Sequence, residues 1–161
     1  MKSKKPKEVF LFILSLAVCQ LAGFIGSVFT APNIKTWYAG LNKPFFTPPN
    51  WVFAPVWTTL YILMGISLFL IWRKGLREKN TREAFIMFMV QLILNAGWSI
   101  VFFGTHSILG GFLVIAVMCM AILLTMVLFY GISSLASILL LPYLMWVSFA
   151  SVLNFALLLK N

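Results

Sequence analysis

Three sets of aromatic and amide residues recur at helical spacing inside long apolar runs. Gln91, Asn95 and Trp98 stand at i, i+4 and i+7, and Trp146, Ala150 and Asn154 lie similarly close, with Tyr143 one turn before Trp146. Trp57 and Tyr61 are four apart, just beyond Pro55. Residues so spaced share one face of a helix. Gln20 adds another amide, near the small residues Gly23, Gly26 and Ser27. Lipid penalises buried amides and indoles that lack partners, so these faces are expected to point into a common interior. That interior is either a set of interhelical hydrogen bonds with glycines allowing close approach, or a cavity for flat apolar ligands, with aromatic walls and few orienting polar groups.

Conventional catalysis lacks its parts. The three acids, Glu8, Glu78 and Glu83, lie in or beside basic clusters, there is no Asp, and the one histidine, His106, falls in a short turn. A Ser–His–acid or Cys–His arrangement has no components within the apolar runs. His106 reads as a solvated turn residue. Cys19 and Cys119 are distant in sequence and each sits in an apolar run, which suits packing better than a disulfide or a metal site. Haem as a cofactor would have to recruit His106, a Cys or a Met without a supporting motif. A proton-coupled pump would need intramembrane carboxylates. Binding is what remains.

The elements that must position these residues follow from composition. Of 161 residues, 62% are hydrophobic and only 9% charged, against about a quarter charged in soluble domains. The chain is therefore expected to be an integral membrane protein. Its net charge of +9 is concentrated in Lys2, Lys4, Lys5 and Lys7 and in Arg73, Lys74, Arg77, Lys79 and Arg82. These blocks flank apolar runs and lack interleaved aromatics, so they fit a membrane border and not a nucleic-acid surface.

A spanning helix needs about 20 apolar residues at about 1.5 Å each. Five such runs are expected at about 9–29, 50–72, 84–104, 108–130 and 134–159, giving an all-α bundle of five transmembrane helices as a single domain, 1–161. The first run continues well past Cys19, longer than a signal-peptide core, and reads as a retained span. With five spans, nine Lys/Arg fall on the side of the N-terminus and three (Lys35, Lys43 and Lys160) on the other. That bias puts the N-terminus in the cytoplasm and the C-terminus outside.

The connections at 105–107 and 131–133 are short and force neighbouring helices to pack antiparallel. The 30–50 loop is long, proline-rich and aromatic, from Trp37-Tyr38 through Phe45-Phe46 to Trp51. Such a loop is either an aromatic belt at the membrane interface or an ordered lid whose prolines lower the entropy lost on closing.

Several multi-residue motifs resemble the translocator protein family, also called the tryptophan-rich sensory protein (TspO) or peripheral benzodiazepine receptor family. They are Trp37-Tyr38, Leu41, Lys43-Pro44, Thr47-Pro48-Pro49, Pro55-Val56-Trp57, Leu60-Tyr61 and Met64-Gly65. Gln91, Leu94-Asn95, Trp98-Ser99 and Phe102-Phe103 resemble the family's third helix, and Leu141-Pro142-Tyr143, Trp146, Phe149-Ala150 and Leu153-Asn154 its fifth. The likeness runs from about 9 to 159. Without a targeting extension, a bacterial member is the expectation.

The resemblance implies a five-helix bundle, commonly a homodimer, with a cavity beneath the loop between helices 1 and 2. It implies a receptor or sensor for tetrapyrroles, with protoporphyrin or haem as ligand and not cofactor, and for synthetic isoquinoline carboxamide or benzodiazepine-type ligands. Some members are associated with light-dependent protoporphyrin degradation, and transport of porphyrins is a further reading. Carried over by motif, the ligand-binding residues are Trp37, Phe46, Trp57, Tyr61, Asn95, Trp98, Trp146, Phe149 and Ala150. Trp57 and Trp146 would be catalytic only if porphyrin photochemistry occurs. Phe46 stands where many members have tryptophan, and Phe155 replaces the tyrosine of a sterol-recognition pattern.

Overall fold

The computed structural model describes residues 5–161, so Lys2 and Lys4 of the basic N-terminal cluster lie outside the described residues. Helices α1 (Lys5–Ile34), α2 (Asn50–Trp72), α3 (Lys79–Ser99), α4 (Ile108–Tyr130), α5 (Ser134–Leu139) and α6 (Leu141–Lys160) follow in order. Among the described residues, five helical segments are long and apolar enough to cross a membrane, α5 and α6 together forming the fifth.

Helix α1 outruns the expected 9–29, running through Pro32 to Ile34. Thr30 Oγ1 donates to the Gly26 carbonyl at 3.0 Å and Asn33 Nδ2 to the Phe29 carbonyl at 2.9 Å. The helix carries Pro32 without ending there. The connection to α2 is correspondingly shorter than 30–50 and covers residues 35–49. Helix α3 begins ahead of its apolar run, in a polar turn where exposed Lys79 and Glu83 pair at 3.8 Å. The fifth span breaks between α5 and α6, two residues before Pro142, which has no N–H to continue the ladder.

Serines start α4 and α5. Ser107 Oγ accepts from the Gly110 amide at 3.0 Å and Ser133 Oγ from the Ala136 amide at 3.3 Å. The same short turns fix the antiparallel packing. Two further serines tie helices together: Ser67 Oγ of α2 donates to the Ala136 carbonyl at 2.6 Å, and Ser137 Oγ of α5 to the Met126 carbonyl of α4 at 2.8 Å.

The core is apolar and aromatic. Phe88 of α3 stacks on Phe129 of α4, ring centres 5.7 Å apart, and Met64, Leu68 and Tyr143 are fully buried. Close approach of α1 to α2 depends on Gly65: a Cβ there would lie 2.9 Å from the Leu16 Cα.

The α1–α2 connection is tied down at several points. Trp37 stacks on His106 at 4.7 Å and packs edge-on against Phe102 at 5.2 Å. His106 is solvent-exposed, as its turn suggested, but its ring is engaged: Nε2 also bonds Asn33 Oδ1 at 2.9 Å, and its φ of 56° is left-handed. At the other end, Asn161 Oδ1 accepts from the Asn42 amide at 2.9 Å while Asn161 Nδ2 donates to the Asn42 carbonyl at 3.2 Å.

Candidate ligand cavity

Beneath this connection lies a cavity of about 450 Å³, walled by α1, α2, α6, the C-terminal part of α3 and Tyr38. That size suits a small-molecule site. Helix α4 packs behind α3 and α6 and contributes no wall residue.

Trp57, Tyr61, Asn95, Trp98, Trp146 and Ala150 all line this cavity. The helical spacings brought them to one interior, as the sequence patterns required. Trp57 stacks on Tyr61 at 5.5 Å, Trp98 stacks on Phe102 at 5.1 Å, and Trp146 meets Phe53 edge-on at 5.9 Å.

Three of the motif-derived positions lie elsewhere. Trp37 is on the outer side of the Phe102–Phe103 pair, Phe46 packs edge-on against Phe149 at 6.3 Å, and Phe149 faces a separate groove shared with Val56 and Leu60. None of the three lines the cavity.

Phe102 and Phe103 do line it, although neither stood among the expected ligand residues. After Ser99 the helix widens into a π turn, Ile100–Gly104, closed by the Thr105 amide on the Ile100 carbonyl at 3.0 Å. The extra residue per turn lets two consecutive side chains face inward, at 2% and 6% exposure. A regular 3.6-residue period offers no signal for that.

A hydrogen-bonded chain crosses the bundle at the cavity wall. Tyr61 Oη donates to Asn95 Oδ1 at 2.5 Å, Asn95 Nδ2 donates to Tyr143 Oη at 3.1 Å, and Tyr143 Oη donates to Met118 Sδ at 3.5 Å. Asn95 therefore joins α2 to α6 before any ligand is considered. In contrast, the Trp98 indole N–H and both amide atoms of Asn154 are buried without a partner among the described residues. The Gln91 amide is likewise unbonded but lies outside the cavity.

Among the described residues, no charged side chain lines the cavity. Lys43 lies above it, its ammonium 4.8 Å from the centre of the Tyr38 ring and donating to the Ala39 carbonyl at 3.0 Å. Burial raises the Tyr38 phenol above its ordinary pKa, so this part of the wall is neutral too. The lining residues that stay exposed are Phe24, Ser27 and Ala31 of α1 and Asn50, Ala54 and Thr58 of α2, which sets the mouth between these helices.

The family model described as TspO/MBR family matches residues 15–159. The chain is 48% identical over 154 residues to the tryptophan-rich protein TspO of Archaeoglobus fulgidus, covering 96% of this chain and 99% of that protein. It is 43% identical over 155 residues to the TspO of Chlorobaculum tepidum, covering 96% and 98%. The translocator protein of Homo sapiens is 39% identical over 137 residues, covering 84% of this chain and 80% of the human protein.

Proposed function

This chain belongs to the TspO/MBR family of multi-pass membrane proteins, and on that premise we propose that it is a receptor holding a tetrapyrrole such as protoporphyrin in its intrabundle cavity. The observation that carries this reading is the uncharged, aromatic-walled chamber of about 450 Å³ containing Trp57, Trp98 and Trp146. A flat conjugated ring gains from stacking against indole faces as well as from apolar burial. Ionised propionates are expelled from a wall without cations, so they stay outside the chamber, and Lys43, which sits over the lining residue Tyr38, is the cation to test as their partner. By the distribution of Lys and Arg, the N-terminus is cytoplasmic and the connection over the cavity lies outside.

The test is a titration of protoporphyrin into purified protein in the dark, followed by tryptophan fluorescence. Wild type is expected to show saturable quenching that weakens at least tenfold in Trp57→Phe/Trp146→Phe. Equal, unsaturable quenching in both overturns the reading, because it marks partition into detergent.

A second reading, light-dependent degradation of the bound porphyrin, draws on two oxidisable indoles, Trp57 and Trp146, in the wall of one cavity. Illuminating the same complex separates the two: a receptor leaves the porphyrin's Soret band intact at a rate matching the free pigment, and an enzyme consumes it faster.

A further inference from the structure

The polar groups of the cavity wall are in three states. Tyr61, Asn95, Ser27, Thr30 and Thr58 already make side-chain hydrogen bonds within the protein. The Trp98 indole N–H and the Asn154 amide are covered, the amide against Gly111 of α4, and offer nothing to a ligand. Gln20, Tyr38, Asn50, Ser99 and the indoles of Trp57 and Trp146 remain; among the described residues their side chains make no hydrogen bond and are not sealed in.

Depth sorts this last group. Tyr38 and Asn50 stand under the α1–α2 connection. Ser99 faces Gly26, where a Cβ would lie 2.9 Å from its Oγ. Gln20 precedes Gly26 on α1 by six residues, about 9 Å further from the connection. The lining ends at Gln20 on α1, Tyr61 on α2, Asn95 on α3 and Trp146 on α6, so these four make the floor. Tyr61 and Asn95 are bonded to each other there, and Trp146 has only an N–H to donate. Gln20 is half-buried and keeps a free acceptor as well as free donors. It is also the middle residue of the 29-residue span Pro6–Ile34, about 21 Å of helix from either end. Hydrocarbon at that depth supplies no hydrogen bond, so the partner of this amide has to come through the cavity.

We infer that Gln20 reads the inward edge of the ligand, and that this edge carries a neutral hydroxyl or carbonyl group. This rests on the cavity holding a porphyrin. With its ionised propionates kept outside the chamber, a porphyrin lying along Trp57 and Trp146 turns its opposite edge to the floor. There the Gln20 amide offers one acceptor and two donors. A hydroxyl can donate to Oε1 or accept from Nε2, and a carbonyl can accept from Nε2. Vinyl and ethyl groups do neither and leave the amide bare in an apolar setting. A carboxylate at that edge is an uncompensated charge, because no cation lines the wall among the described residues. The floor thus favours porphyrins oxygenated opposite their propionates over those whose far edge is hydrocarbon alone.

The test uses mesoporphyrin and haematoporphyrin, which share their propionates and differ in carrying ethyl or 1-hydroxyethyl groups at the opposite edge. Each is titrated in the dark into wild type, Gln20→Met and Gln91→Met, followed by tryptophan fluorescence. Gln91 is the control, an unbonded amide of α3 outside the cavity. The affinity ratio of haematoporphyrin to mesoporphyrin is expected to fall about tenfold in Gln20→Met, the effect of one buried hydrogen bond of ordinary strength. Gln91→Met is expected to keep the wild-type ratio. Comparing ratios cancels the unequal partition of the two pigments into detergent. An unchanged ratio in Gln20→Met, or an equal fall in Gln91→Met, overturns the proposal. So does wild type alone, with no variant needed, if it prefers mesoporphyrin once each affinity is divided by detergent partition. Saturable binding of both pigments with a ratio unchanged in Gln20→Met removes the floor contact and leaves the receptor reading standing. Absence of saturable binding for either pigment removes both.

Discussion

Tyr61 and Asn95, on different helices, meet through a 2.5 Å hydrogen bond in the wall of the cavity. The same asparagine donates to Tyr143, so its oxygen and one of its N–H bonds are committed to the bundle. Asn95 shapes the chamber as a strut. Tyr61→Phe is expected to cost about 1–2 kcal/mol by leaving Asn95 Oδ1 without its donor in an apolar interior. Thermal unfolding in detergent measures this, and a Phe variant as stable as wild type shows that the bond contributes nothing.

Lys43 stands over Tyr38, outside a cavity wall that has no charge of its own. Lys43→Met is therefore expected to weaken binding of protoporphyrin up to about fivefold, as a solvent-exposed ion pair would, and to leave its dimethyl ester unaffected. The difference should shrink as salt rises. Equal losses for diacid and ester refute a charge role for Lys43.

Ala150 lines the chamber and is partly buried against the core. Ala150→Leu adds bulk in the space a flat ligand needs, so protoporphyrin affinity is expected to fall at least about tenfold, the effect of about 1.4 kcal/mol. The helical circular dichroism should not change. Undiminished affinity places the ligand elsewhere.

The Asn42–Asn161 pairing holds the connection to the end of α6. Asn161→Ala removes the acceptor of the Asn42 amide, and hydrogen–deuterium exchange across 37–43 is expected to quicken. Exchange in α4 should stay at the wild-type rate. Unchanged exchange at 37–43 means that Trp37 on His106 holds the segment alone.

Gly65→Ala drives a methyl to within 2.9 Å of the Leu16 Cα. Backbone cannot rotate aside as a side chain can, so α1 must shift, at about 1–3 kcal/mol. A Tm drop in detergent measures it. Gly97→Ala, with open space around its Cβ, is the control expected to hold the wild-type Tm.

Much of this structure was readable before any coordinates. Apolar runs marked the spans, and the four-residue spacings of Trp57 with Tyr61 and Trp146 with Ala150 placed those residues in one interior. Local hydrogen bonding was harder to read. Thr30 and Asn33 bond carbonyls one turn back in the stretch where α1 runs on through Pro32, which a hydropathy run does not register. The π turn after Ser99 changes the period itself, so Phe102 and Phe103 joined the wall unannounced. Trp37 and Phe46 were aromatic and suitably near, but His106 and Phe149 hold them outside the chamber. Partners so distant in sequence leave no local trace.

The mouth between α1 and α2 opens along membrane-spanning segments. For an apolar compound entering there, the reservoir is the surrounding leaflet, where partition raises its concentration far above the aqueous value. Occupancy then tracks moles of compound per mole of lipid. Diluting a vesicle suspension in buffer should barely unload the protein, whereas adding empty vesicles should strip it. Two compounds with equal affinity in detergent will rank in a cell by their oil–water partition, so part of this protein's selectivity is exercised by the bilayer before any side chain is touched.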